Sequence, residues 1–175
     1  MLVFFTLFLI AISLSMDTFS LSMIYGTIGL EKKKIYILSL IVGVFHFFMP
    51  FFGNLIGDFL LSKLPISSNV VVGIIFVIIA IQMLIQNEEI IDLKNFLMLL
   101  LFALTVSIDS FSVGIGISLI TNNFYEAYLI FFIISMIFTF LGLRFGKYLN
   151  SRFGTKATKI GAAVLFFLGV MYIFK

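Results

Sequence analysis

The sequence predicts an all-α integral membrane protein: a single domain of six transmembrane helices, built as two inverted three-helix repeats (about residues 1–86 and 93–175). Three observations predict it. The 175 residues are 62% hydrophobic and only 11% charged, with a mean hydropathy of +1.27, too apolar for a soluble domain of this length. Six apolar runs come close to the ~20 residues that a helix needs to cross a bilayer. Finally, Ala11-Ile12-Ser13-Leu14-Ser15-Met16-Asp17-Thr18-Phe19-Ser20 recurs 92 positions later as Ala103-Leu104-Thr105-Val106-Ser107-Ile108-Asp109-Ser110-Phe111-Ser112.

Taken in order, the first helix runs from about Leu2 to Tyr25 and the second from Ile35 to Leu61. The third covers Asn69 to Ile85, the fourth Leu93 to Ile120, the fifth Glu126 to Leu149 and the sixth Ala157 to Phe174. Gly26 and Gly29, Pro65 to Ser68, Asn87 to Glu89, Thr121 to Asn123 and Ser151 to Gly154 are the expected breaks, since Gly, Pro, Asn and Ser punctuate helices. The first run has no basic flank and no small-x-small cleavage site, and it carries Asp17. It therefore reads as a retained helix and not a signal peptide. Without cysteine, disulfides and thiolate metal sites are excluded.

Orientation follows from the basic residues of the short loops. Lys32, Lys33, Lys34, Lys94, Arg152 and Lys156 follow helices one, three and five, with Lys147 and Lys159 just inside the adjoining helices. The opposite face has Lys63 and Lys175. The first face is expected to be cytoplasmic, with both termini outside. A net charge of +3 spread over short loops signals topology and not a nucleic-acid surface. The repeat extends past the aspartate motif, because Gly53-x-x-x-Gly57 matches Gly142-x-x-x-Gly146 and Gly73 matches Gly161. An odd number of helices per half makes the second half enter the membrane from the other side. That is the inverted-repeat plan of many transporters.

Each repeat places one carboxylate inside an apolar run. A charge at that depth costs roughly 2.5–3.5 kcal/mol on insertion scales, so such residues usually serve function. At 100° per residue, Ser13, Asp17 and Ser20 share one face, and Thr105, Asp109 and Ser112 the equivalent face, giving each carboxyl hydroxyls one turn away. Ser15, Ser22, Ser107 and Gly114 fall on the opposite side and read as small-residue packing positions. In helix two, Gly43, His46, Pro50, Gly53 and Gly57 form a stripe. Pro50 lacks an N–H, which frees the His46 carbonyl, so that carbonyl and the imidazole are expected to face a central cavity. The helix-five counterpart is Ser135, Thr139, Gly142 and Gly146. The bland readings are interhelical hydrogen bonding for the aspartates and for His46, and close helix contact or homodimerisation for the Gly-x-x-x-Gly pairs. Asn54 and Asp58 lie toward the outer end of helix two, and Gln82 and Gln86 toward the inner end of helix three. Asp58, Glu88, Glu89, Asp92 and Glu126 read as solvated helix ends. The 24 phenylalanines read as lipid-facing and packing surface.

Asp17, Asp109, His46, Ser13, Ser20, Thr105 and Ser112 are thus the expected metal-facing residues. The set is rich in oxygen, has one imidazole and has no sulfur, which suits a hard or borderline divalent cation such as Mn²⁺ and suits Cu⁺ or Cd²⁺ poorly. At this point Ser15-Met16-Asp17-Thr18-Phe19-Ser20 and Ser107-Ile108-Asp109-Ser110-Phe111-Ser112 resemble the paired motif of bacterial MntP-type manganese efflux pumps. The stripe from Gly43 through His46 and Pro50 to Gly57 resembles that family's second helix. The resemblance spans essentially the whole chain. It implies a six-helix exporter of Mn²⁺ in the bacterial plasma membrane, with Asp17 and Asp109 at the metal. His46 stands where the family more often has an amide or acidic side chain, and Gln82 where it has a basic one.

The expected function is secondary transport that exports Mn²⁺, with metal exchanged for protons at the carboxyl pair. The chain needs no cofactor, Mn²⁺ being substrate, and its surroundings are lipid. The alternatives are another divalent cation or small cationic solute on the same fold, or a scaffold of the kind found among sporulation-associated membrane proteins. No nucleophile–base pair or two-histidine motif supports an enzyme.

Overall fold

In α1 (Leu2–Thr27) the chain already exceeds the thickness of the hydrocarbon core, and five further helices follow: α2 (Lys32–Leu61), α3 (Ser68–Ile85), α4 (Phe96–Ile117), α5 (Phe124–Phe145) and α6 (Ser151–Ile173). The computed structural model describes residues 2–27, 29–61, 68–85, 93, 95–117, 124–146 and 151–174. α1, α2, α4 and α5 are long and apolar enough to cross a membrane, and the described apolar parts of α3 and α6 are shorter. No strand occurs among the described residues. The chain is a multi-pass, all-α membrane protein.

The helix ends depart from the sequence reading where polar residues extend a helix beyond its apolar run. Lys32, Lys33 and Lys34 form the first turn of α2, and the expected break at Ser151 to Gly154 is the first turn of α6. A span estimated from hydropathy stops at the hydrocarbon, whereas lysine and arginine are good helix formers that continue the helix into water. Gly26 is also helical, and the turn falls at Gly29, whose φ is +79° and whose N–H donates to the Gly26 carbonyl at 3.3 Å. Only glycine adopts that conformation without strain. Pro65 to Ser67, Asn87 to Glu89, Thr121 to Asn123, Lys63, Gln86, Asp92, Lys94, Lys147 and Lys175 lie outside the described residues, as do the side chains of Asp58 and Arg152.

The helices interlock across the two halves. α2 packs most closely on α4 and α1 on α5, with α3 against α6, α2 against α5 and α6 against α1. Glycine makes the two tightest seams. A Cβ on Gly142 would lie 2.7 Å from the Phe19 carbonyl and 2.7 Å from Ser22 Cβ, while one on Gly53 would strike the Phe111 carbonyl and Gly114. One turn on, Gly146 meets Met23 and Gly57 meets Ile115. Phe19, Ser22 and Met23 of the first half correspond by the repeat to Phe111, Gly114 and Ile115 of the second. The Gly-x-x-x-Gly pairs are therefore close helix contacts inside one chain, made possible by the absence of side chains between backbones.

Two apolar clusters fill the interior. One joins Leu7, Ile10 and Leu14 of α1 to Phe76 and Ile79 of α3 and Leu165 of α6. The other joins Tyr25 to Leu38, Val42, Phe102 and Val106, with the Tyr25 and Phe102 rings edge to face at 4.9 Å. Outside, Phe4, Phe5, Phe48, Phe52, Leu55 and Phe167 are exposed, as lipid contact requires. Three helical hydroxyls are satisfied on their own backbone, Ser39 donating to Ile35, Ser107 to Ala103 and Thr139 to Ser135, whereas Ser22 Oγ is buried without a partner. With no water in the hydrocarbon, such bonds keep polar groups from being left unmade.

Candidate functional site

The arrangement is unequal at one place. α6 lies closely along α1, but its counterpart α3 touches α4 far less. Between α3 and α4 lies a cavity of about 390 Å³, lined by Asp17, Ile79, Gln82, Met83, Ile85, Thr105, Val106, Ile108 and Asp109. Asp17 and Asp109 are half-buried, while Ile85 and Ile108 at its rim are exposed. Both motif aspartates therefore face one space. Asp17 lies ten residues before the end of α1 and Asp109 thirteen after the start of α4, about 15 and 20 Å along their axes at ~1.5 Å per residue. In a hydrocarbon core about 30 Å thick, that is near mid-depth.

The chemistry of the two carboxyls is uneven. Asp109 Oδ1 accepts the Ser110 N–H at 2.7 Å, with the Ser110 hydroxyl a longer donor at 3.5 Å. Asp109 Oδ2 is buried and has no hydrogen-bond partner. Two ionised carboxyls lining one cavity repel, and a divalent cation shared by both would cancel that repulsion. Thr105 donates its proton to the Leu101 carbonyl at 2.9 Å, which leaves the oxygen lone pairs for a cation in the cavity.

Of the residues expected at the metal, the structure thus brings together Asp17, Asp109 and Thr105. Ser13, Ser20, His46 and Ser112 are not among the lining residues. Ser13 is buried and donates to the Leu9 carbonyl at 2.8 Å, where α6 covers it, Gly161 lying against the Ser13 carbonyl. Ser20 is buried and Ser112 half-buried. His46 is fully buried. Its Nδ1 lies 2.9 Å from the Val42 carbonyl, which can only accept, so Nδ1 carries a proton. Nε2 meets the Thr18 hydroxyl at a long 3.5 Å, one residue from Asp17. The helix-two stripe is a packing face: Gly43 meets Phe132 and Met136 of α5, and Pro50 meets Gly114 of α4. Its helix-five counterpart is one too, Ser135 sharing a 3.0 Å hydrogen bond with Ser15 of α1. Sequence spacing gives the face a residue occupies but not the neighbour that covers it.

From the sequence Gln82 is a polar residue toward the end of helix three, at a position where the resembling family has a basic one. It faces the aspartates. The available signal was its isolation, for it is the only polar side chain between Val70 and Ile85. Among the described residues no group of three or more His, Cys, Asp or Glu converges, so the donors here are two carboxylates with neutral oxygens. At ~30 Å³ per water, six waters occupy about 180 Å³, and the cavity has room for a hydrated ion that exchanges part of its water for protein oxygen.

Comparison with known proteins identifies the family. The family model described as "Putative manganese efflux pump" (Mntp) matches residues 29–173. Proteins named "Putative manganese efflux pump MntP" match over nearly their whole length. That of Bacillus pumilus is 35% identical, covering 97% of this chain and 94% of the relative. That of Bacillus licheniformis is 32% identical, covering 94% and 91%, and that of Geobacillus thermodenitrificans 30%, covering 95% and 93%. No solved structure matches. A match that takes in α2 to α6 whole, together with relatives aligned over more than nine-tenths of their length, makes this chain a member of the Mntp family.

Proposed function

We propose that the chain exports Mn²⁺ from the cytoplasm as a secondary transporter of the bacterial plasma membrane, carrying the ion at Asp17 and Asp109. The single observation behind this reading is that the two motif aspartates, 92 positions apart, line one half-open cavity. A divalent ion between them is neutralised, and the oxygen donors suit Mn²⁺. Metal binding releases protons from the carboxyls and release of metal takes them up again, which couples export to proton return without ATP.

The cavity reaches toward the end of α3 from which the chain leads to α4. Lys32 and Lys33 at the start of α2, Arg144 at the end of α5 and Lys156 in α6 are exposed at that same side of the helix order, which supports a cytoplasmic assignment. On this reading the ion binds from the cytoplasm in the arrangement described. Exchange of roles between the repeats, with α3 closing on α4 and α6 leaving α1, then turns the site outward. His46 acts through Thr18 to hold the turn that bears Asp17.

The test is intracellular metal in a strain lacking the protein, grown in graded Mn²⁺, Zn²⁺, Co²⁺ and Fe²⁺ with and without the chain. Lower Mn²⁺ on expression is expected. If no divalent metal changes, the scaffold reading replaces transport; if another metal falls in place of Mn²⁺, the substrate is that cation.

A further inference from the structure

The cavity has three walls, and only two of them carry the repeated motif. The third is α3, which contributes Ile79, Gln82, Met83 and Ile85. This helix is apolar from Val70 onward except for Gln82. An amide left in hydrocarbon loses its hydrogen bonds to water at a cost of several kcal/mol. Gln82 is exposed, and it lines the same cavity as the two carboxyls. Met83, next in the chain, reaches Gly161, where an added Cβ would be 3.2 Å from Met83 Cε and 3.0 Å from Met16 Cβ. This end of α3 therefore stands beside the turn of α1 that carries Asp17, and Gln82 lines the cavity with both carboxyls.

The repeat offers no copy of this group. Gln82 corresponds, by the Gly73–Gly161 match, to Val170 of α6. The two aspartates hold equivalent positions of the repeat and present the same charge to any divalent cation, so charge alone discriminates little among such ions. The asymmetric neutral oxygen is the element able to set preference.

We propose that Gln82 is the specificity-determining ligand of this site, its amide oxygen completing with Asp17, Asp109 and Thr105 a four-oxygen set for a hard divalent cation that keeps part of its water. The inference rests on the transport reading above. An amide oxygen adds a donor without adding charge, so the ion is held by two negative charges and leaves again. A third carboxylate at position 82 would bind more tightly and release more slowly. An imidazole there would add the nitrogen that favours Zn²⁺.

The experiment uses the full chain in liposomes of defined lipid, with initial rates measured over a range of Mn²⁺ and in competition with Zn²⁺ and Mg²⁺. Gln82→Leu is expected to raise KM for Mn²⁺ about tenfold, the lower end of what loss of one group at a metal site costs, with little change in maximal rate. Gln82→Glu is expected to lower both KM and maximal rate, and Gln82→His to move preference toward Zn²⁺. A residue that merely fills space would change the amount of folded protein and leave KM and metal order alone. Asp17→Asn and Asp109→Asn run alongside. If they transport like the parent chain, the carboxylate site falls and this inference with it. If they are inactive while all three Gln82 variants keep the parent KM and metal order, only the role of Gln82 is overturned.

Discussion

The carbonyl of Ser13 and the α-carbon of Gly161 meet so closely that a Cβ on Gly161 would lie 2.6 Å from the oxygen. Their counterparts in the other repeat, Thr105 and Gly73, are apart. Thr105 faces the cavity, and Gly73 lies against Gly169 and Ile173 of α6. One seam is shut and its equivalent is open.

That difference is testable by cross-linking, because the native chain has no cysteine. Met16→Cys with Gly161→Cys places two Cβ atoms 3.0 Å apart where the seam is shut, so the helices part slightly to reach the ~3.5–4.5 Å that a disulfide spans. Ile108→Cys with Gly73→Cys is the repeat equivalent. Under mild oxidation both pairs should close in membranes, each blocking export, with reductant restoring it. Closure of the first pair alone would show that the repeats do not exchange roles.

The aspartates should be needed for charge and not for folding. Asp17→Asn or Asp109→Asn keeps an oxygen and the shape but loses the anion and a titratable proton. Either variant should accumulate in the membrane fraction at parent levels yet lose at least tenfold in Mn²⁺ export, about 1.4 kcal/mol or more. Glu at either position should retain part of the activity. Manganese content per amount of membrane protein is the measurement, and export at parent rate by the Asn variants would remove the metal site.

His46 bonds Val42 and Thr18 and does not line the cavity. His46→Leu should therefore reduce export by loosening the turn that bears Asp17, while the residual activity keeps the parent order of metals. His46→Gln, which preserves a polar contact, should do less harm. A changed metal order in either variant would place the imidazole at the ion.

Gly142 and Gly53 are packing positions, so Gly142→Val and Gly53→Val should lower the amount of folded protein before they alter its affinity. Gly29→Ala acts differently, since space is open around it but its φ is +79°. The cost should be about 1–2 kcal/mol of backbone strain, read as a modest fall in the thermal midpoint in detergent.

Much of this was legible in the sequence because membranes make polar residues conspicuous. Asp17 and Asp109 stood out as charges in apolar runs, and their repetition pointed to one shared site. The six helices followed from length and hydropathy, with errors confined to ends such as Lys32 and Ser151, where a helix outlasts its apolar stretch. What could not be read was rotation between helices. Ser13 shares a face with Asp17 by angle, yet α6 covers one and not the other. His46 shares a stripe with the glycines, and that stripe is spent on packing. Gln82 was visible as a polar residue, but only tertiary structure brings α3 to the aspartates.

The seams at Gly53 and Gly142 also speak to ancestry. Gly53 and Gly57 of α2 are covered by α4, and Gly142 and Gly146 of α5 by α1, so each half of the chain buries the other's bare backbone at these seams. A three-helix half made alone would expose that stripe to lipid. Its natural cover is a second copy of itself inserted upside down. Gene fusion of such an antiparallel pair would preserve every contact and need only the link between α3 and α4. It would also free the two copies to diverge, so that one third helix could acquire a glutamine that the other lacks.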